Sequence, residues 1–349
     1  MKYLLNGLLF SLVLSLVGCA PDSPDAGQVC PDDYLDFSAR DDQFTGGINM
    51  IPIQTPKGTF KVWTKRVGNN PTMKVLLLHG GPGATHELYA CADGFFPQEG
   101  IEYIYYDQLG SYYSDQPSDT SLWTIERFVE EVEQVRQALG LDNSNFYLLG
   151  QSWGGILALE YALKYQQNLK GLIISNMMSS IPEYNQYAKD VLGPQMDPAV
   201  LAEVMEMEAK EDFGNPRYQE LLFEHHYTEH VLRLPQAEWP EAINRTFKHL
   251  NPEVYVYMQG YSEFGISGNA TLKDWDRKAD LPSVAVPTLT VGSQYDTMDP
   301  KHMEWMASQF PKGRYLYCPN GSHFSQYDDQ QNYFKGVISF IKDVDAGKL

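Results

Sequence analysis

Positive charge is scarce in this sequence: 26 Lys and Arg face 45 Asp and Glu among 349 residues, a net charge of −19. Such a surface repels polyanions, which argues against nucleic acid as a partner and favours cationic or zwitterionic small substrates. Cysteine is rarer still. The four residues Cys19, Cys30, Cys91 and Cys318 stand at spacings that fit no metal site. Neither an internal repeat nor a nucleotide-binding glycine pattern occurs. The apolar run "LLNGLLFSLVLSLV" at the N-terminus is too short to read as a membrane span. What is plentiful is hydrophobic content, 43%, enough for a large core in one elaborated domain or a domain with an insertion.

The N-terminal run follows Lys2 and ends in Leu16, Val17, Gly18 and Cys19, so residues 1–18 read as an export signal. The four residues "LVGC" resemble a bacterial lipobox. That resemblance implies lipidation of Cys19, a lipid-anchored protein of the cell envelope, periplasmic or surface-facing, and membrane contact through Cys19 only. Residues 19–42, with "APDSPDAGQ", read as a polar tether. The three other cysteines are an odd number, and buried free thiols are the expectation.

From residue 43 the chain reads as an α/β protein. "MIPIQTPKGTFKVWTKRV" predicts a hairpin around a Pro-Lys-Gly turn. "KVLLL", "IEYIYYDQ", "NFYLL" and "GLIISN" are apolar almost throughout, as strands buried on both faces should be. Between them, Ile125, Phe128, Val129, Val132, Val135 and Leu139 recur at helical spacing, with Thr124 to cap the start and Gly140 at the end. This alternation predicts a mostly parallel central sheet with helices on both faces. Residues 180–272, rich in Met, Glu, Tyr and His, contain no clear strand and read as helices broken at Pro194, Pro235, Pro240 and Pro252. We therefore expect a helical cap at 180–272 inserted between core segments 43–179 and 273–349.

"GQSWGG", residues 150–155, follows one of these strands and precedes a helix. It matches G-x-S-x-G in the strand–turn–helix context that exposes a serine hydroxyl, here that of Ser152. A serine needs a histidine to take its proton and donors to hold the developing oxyanion. "VGSQYDTMDP" places Asp296 just beyond a later strand, and "CPNGSHF" places His323 beyond the next, in the order acid then base. Asp299, beside Pro300, suits a helix start, and His302 falls ahead of the strand that should precede the base. "HGGPG", residues 79–83, makes the amides of Gly81 and Trp153 the expected oxyanion donors, with His79 ordering the loop.

Taken in order, "HGGPG", "YYDQLGSYYSDQP", "GQSWGG", "SEFGISG" with "KDWD", "YDTMDP" and "NGSHF" resemble the proline iminopeptidase family. These are serine peptidases of the α/β-hydrolase fold that release an N-terminal residue from small peptides. The resemblance runs from about residue 45 to the C-terminus. It implies a triad of Ser152, Asp296 and His323, a cap glutamate, Glu263, that binds the substrate's free α-amine, and no metal or organic cofactor. The partners it implies are short peptides with a free N-terminus, proline being the favoured first residue. Two departures stand out: Thr297 occupies a place where some relatives carry a second amine-binding glutamate, leaving another acid such as Glu87 to help, and Leu109 replaces an arginine. An esterase or amino-acid amidase on the same triad is the alternative enzyme, and a catalytically silent binding lipoprotein the alternative of another class.

Overall fold

The computed structural model describes residues 47–266 and 268–349. The expected signal peptide, Cys19, Cys30 and the tether lie outside the described residues. The chain opens with β1 (Ile48–Thr55) and β2 (Gly58–Val67), an antiparallel hairpin that turns at Pro56 and Lys57. Then come β3 (Lys74–Leu78), a 3-10 helix (His86–Gly94), β4 (Glu102–Asp107), α1 (Ile125–Ala138), β5 (Phe146–Gln151), α2 (Trp153–Tyr165) and β6 (Gly171–Ser175). After a long helical segment, β7 (Thr288–Ser293) and β8 (Gly313–Cys318) complete one eight-stranded sheet in the order β1-β2-β4-β3-β5-β6-β7-β8. The first two pairings, β1–β2 and β2–β4, are antiparallel and the rest parallel.

Alternation along the strands divides the core into two layers. Leu76 and Leu78 of β3 join Ile104, Leu148 and the buried faces of α1 and α2 on one side; Val75 and Leu77 join Tyr103, Leu149, Phe334 and Val337 on the other. In α1, Thr124 accepts from the Arg127 amide as N-cap, and Gly140 leaves the helix at φ 63°. Phe128, Val129, Val132 and Val135 face the sheet as their spacing predicts, each worth roughly 1.5–3 kcal/mol when fully buried.

Between β6 and β7 the chain forms α3 (Ile181–Tyr187), α4 (Pro198–Ala209), α5 (Pro216–Leu222), α6 (Glu241–His249) and α7 (Pro252–Met258), with no named strand among the described residues. Several prolines start helices here. Pro198, Pro216 and Pro252 are first residues of α4, α5 and α7, where the missing N–H costs nothing. Two π-helical turns, Ala188–Leu192 and Phe223–Val231, have no counterpart in the periodicity reading. The chain closes with α8 (Pro300–Gln309), α9 (Ser325–Asp328) and α10 (Gln330–Asp345). Among the described residues no helix is long and apolar enough to cross a membrane.

Candidate active site

Strand β5 ends at Gln151 and α2 begins at Trp153, which leaves Ser152 alone in the turn. Its backbone sits at φ 56° and ψ −125°. That costs a non-glycine residue on the order of 1–3 kcal/mol and persists only where the surroundings enforce it. They do so by close packing: a Cβ on Gly150 would come within 1.9 Å of the Gly154 carbonyl oxygen, and one on Gly154 within 2.1 Å of the Leu78 oxygen. Although Ser152 holds the N-cap position of α2, its side chain makes no capping hydrogen bond.

The loop after β7 carries Asp296 and the loop after β8 carries His323. His323 Nδ1 lies 2.8 Å from Asp296 Oδ1, and both side chains are buried. A second carboxylate oxygen, Oδ2, accepts from Asn176 Nδ2 at 2.7 Å, so Asp296 is held from two sides. Thr297 is fully buried, its Oγ1 3.3 Å from Asp296 Oδ1 and 3.1 Å from His323 Nδ1. Burial pulls the His323 imidazole down in pKa, but Asp296, with Glu263 and Asp328 adding to its field, prevails and holds it above the usual histidine value.

The loop "HGGPG" backs directly onto this turn. A Cβ on Gly80 would lie 2.7 Å from Gln151 Oε1 and 3.1 Å from Ser152 Cβ. His79 is fully buried, and burial lowers its pKa to about 4, so it is neutral at physiological pH. Its Nε2 accepts from the Gln108 amide at 3.1 Å, which leaves Nδ1 to donate to the Gly80 carbonyl at 2.9 Å. Gln108 Oε1 accepts from Trp153 Nε1 at 2.8 Å. One network thus joins the glycine loop to the start of α2. The Trp153 amide belongs to the first turn of α2, where N–H groups have no intrahelical acceptor.

Gly80, Gly81, Ser152, Glu263 and His323 line one cavity of about 300 Å³, walled by Leu88, Phe223, Val231, Phe247, Leu250 and Phe324. Glu263 enters it from the segment after α7. Tyr255 donates its hydroxyl to Glu263 Oε1, the Glu263 amide donates to the Tyr227 hydroxyl at 3.0 Å, and the Glu263 carbonyl accepts from Tyr184 at 2.8 Å. No Lys, Arg or His forms an ion pair with this half-buried carboxylate among the described residues, unlike the buried Glu87, Glu102 and Glu131. Burial raises its pKa, with the nearby His323 and the Tyr255 hydroxyl offsetting only part.

Three residues weighed in the sequence stand elsewhere. Glu87 is buried but already paired with Arg245 Nε at 2.6 Å and His249 Nδ1 at 2.7 Å, outside the cavity lining, so it is not a second acid in this site. His302 lies in α8 as a buried residue that bonds Ser179 and Glu183. Asp299 caps α8 by accepting from the Lys301 amide at 2.9 Å. Among the described residues Cys91 and Cys318 are free. Among the described residues no cluster of His, Cys, Asp and Glu is placed to hold a metal ion. Sequence reasoning missed Asn176, Tyr227, Tyr255 and Gln151, whose Nε2 donates to the His323 carbonyl at 3.1 Å. Asn176 and Gln151 could have been suspected as polar residues at the carboxyl ends of buried strands, where α/β sheets place their sites.

A family model described as the α/β-hydrolase fold matches residues 74–330. The chain is 62% identical over 297 residues to a proline iminopeptidase of Elizabethkingia meningoseptica, covering 85% of this chain and 99% of the relative. A proline iminopeptidase of Flavobacterium johnsoniae is 61% identical over 300 residues, covering 86% and 100%. Among solved structures, the proline iminopeptidase of Mycobacterium smegmatis superposes with a TM-score of 0.76 at 27% identity, covering 86% of this chain and all of that one. With the sheet order, the elbow and these relatives in agreement, the chain belongs to the proline iminopeptidase family of α/β-hydrolases.

Proposed function

We propose that this protein is a serine aminopeptidase that removes an N-terminal residue, by preference proline, from short peptides. Ser152 Oγ attacks the carbonyl of the first residue while its proton passes to His323, which Asp296 orients through Nδ1. The amides of Gly81 and Trp153 receive the resulting oxyanion, helped by the positive end of α2. His323 returns the proton to the leaving amine, the C–N bond breaks, and an ester on Ser152 remains. Water, deprotonated by the same imidazole, releases the free residue. The helical cap between β6 and β7 closes over the cavity and limits substrates to short peptides.

What carries this reading is Glu263: a half-buried carboxylate, with no cationic partner among the described residues, in the same cavity as Ser152 and His323. An α-ammonium, cationic below about pH 8, supplies the missing charge and thereby fixes the first peptide bond at the nucleophile. The test compares L-proline p-nitroanilide with its N-acetyl form on wild type and Glu263→Gln. Wild type is expected to cleave the free-amine substrate and refuse the blocked one, and Glu263→Gln to lose about 30–1,000-fold in kcat/KM on the former, as loss of a buried charge partner implies. Rapid hydrolysis of simple aryl esters, with no cleavage of unblocked anilides, would overturn it in favour of an esterase. The lipobox-like "LVGC" adds a lipid-anchored envelope location through Cys19; Cys19→Ser is expected to move the protein from the membrane to the soluble fraction.

A further inference from the structure

The loop that carries His323 is fastened to the helical segment at several points. The His323 amide donates to the His230 carbonyl and the Phe324 amide to the Val231 carbonyl, both at 2.9 Å. Ser322 Oγ lies 2.9 Å from the Val231 oxygen. His230 and Val231 end the π-helical turn Phe223–Val231, and the same turn supplies Tyr227 to the Glu263 amide and His226 to the Glu263 carbonyl, the latter at 3.1 Å. The element that positions Glu263 is therefore continuous, through hydrogen bonds, with the backbone of His323.

One carboxylate completes this junction. Asp328, the last residue of α9, accepts from the Ser322 amide at 3.0 Å on Oδ1 and 3.1 Å on Oδ2, from Ser322 Oγ, and from the Arg233 amide at 3.3 Å. It thus joins the residue just before His323 to the chain leaving the π-helical turn. Among the described residues no Lys, Arg or His pairs with it; the Arg233 guanidinium lies instead over the Tyr295 ring at 3.6 Å. A half-buried carboxylate surrounded by N–H and O–H donors, and by no cation, is there for its acceptors. We infer that Asp328 is a positioning residue for His323, locking the base-bearing loop to the wall that holds the substrate amine.

This rests on the role proposed above for His323. Burial, partly offset by the Ser322 and Arg233 donors, pushes the Asp328 carboxyl up to about 6. The titratable groups that share its field are Asp296, which raises it further, His323, Cys318 on β8 and the adjoining Asp329. Ionised Asp328 in turn raises the His323 pKa. Replacement by asparagine removes that charge and turns an amide donor toward donors in place of one carboxylate oxygen, so the anchor weakens while the volume is kept.

The experiment compares wild type, Asp328→Asn, Asp328→Glu and Ser322→Ala on L-proline p-nitroanilide, with the rate of Ser152 labelling by a fluorophosphonate probe measured in parallel. Asp328→Asn is expected to lower kcat about 10–100-fold with KM within about twofold, the scale of a displaced catalytic group. Its acid limb should move to lower pH, and labelling should slow by a similar factor. Asp328→Glu should recover part of kcat. An Asp328→Asn protein with wild-type kcat, labelling rate and acid limb overturns the inference, even if its melting temperature falls. Should that variant fail to fold, Ser322→Ala decides: a kcat about 3–10-fold lower supports the junction and an unchanged kcat overturns it. If wild type labels but leaves the anilide intact, the peptidase reading fails, and the labelling series still decides the role of Asp328.

Discussion

The turn at Ser152 and the setting of Glu263 are built by opposite means. Around Ser152 the backbone itself is the constraint: two glycines are required because a single added carbon would overlap carbonyl oxygens at 1.9 and 2.1 Å. Around Glu263 the constraint is a set of tyrosine hydroxyls, from Tyr184, Tyr227 and Tyr255, donating or accepting across the helical segment. Backbone exclusion is rigid and all-or-none, whereas hydroxyl contacts are each worth about 0.5–1.5 kcal/mol and can be removed singly. The core should therefore fail abruptly when altered and the helical segment by degrees.

The sharpest way to break that comparison is a matched pair of glycine substitutions. Gly154→Ala drives a Cβ into the Leu78 carbonyl, while Gly214, between α4 and α5, has open space around its Cβ position. Gly154→Ala is expected to lose at least about 3 kcal/mol of stability or all measurable hydrolysis, and Gly214→Ala to shift either by less than about 0.5 kcal/mol. Thermal melts with initial rates would check both. An active, stable Gly154→Ala would show that the turn tolerates relaxation.

Next in size is Asn176, which at φ 52° takes a left-handed conformation that asparagine tolerates better than most residues, and which aims Nδ2 at Asp296. Asn176→Gly keeps the backbone and deletes the donor. We expect kcat to fall roughly 10–100-fold with little change in KM, since an Asp296 lacking one of its buried donors orients His323 less well. Equal losses in kcat and in stability, with no slowing of fluorophosphonate labelling, would count against this role.

These two regions also differ in how far the sequence revealed them. G-x-S-x-G after a buried strand encodes its geometry locally, and the order Asp296 then His323 follows from sheet topology, so the turn at Ser152 and the Asp296–His323 pair could be read residue by residue. Glu263 came from resemblance, because nothing in "SEFG" says that tyrosines from α3, the π-helical turn and α7 converge on it. The π-helical turn was invisible for a physical reason: its hydrogen bonds reach one residue further than those of an α-helix, and no side-chain pattern announces that. Asn176 offered only its place at the end of β6 and Asp328 no signal at all, since their roles depend on partners about 120 and 6 residues away that the folded chain brings close.

A smaller effect concerns pH. In the proposed mechanism His323 is a base only when neutral, and its raised pKa then places the acid limb of kcat/KM above the ordinary histidine value near 6.5. Activity should thus be full at higher pH and fall as protons add to His323. Glu263 contributes to that elevation, so Glu263→Gln should move the limb to lower pH. The measurement is best made with an uncharged aryl ester, whose binding does not itself need the carboxylate. A limb that stays in place would mean that the field of Glu263 does not reach the imidazole.

The finest adjustment lies at Tyr255, whose hydroxyl donates to Glu263 Oε1. Tyr255→Phe leaves the aromatic wall of the cavity intact and removes one donor from a carboxylate that already lacks a cation. Two consequences oppose each other: the Glu263 pKa rises, because a donor to its charged form is lost, while the ionised form gains a free lone pair for the substrate's ammonium. The first weakens binding as pH falls, and the second acts at any pH where Glu263 is ionised. We therefore expect KM for L-proline p-nitroanilide to rise about 3–10-fold at low pH, the scale of one ordinary hydrogen bond, and to approach the wild-type value at high pH, with kcat constant throughout. A KM that rises equally at both pH values would instead mean that Tyr255 contacts the substrate directly, and would make the amine site a shared property of carboxylate and phenol.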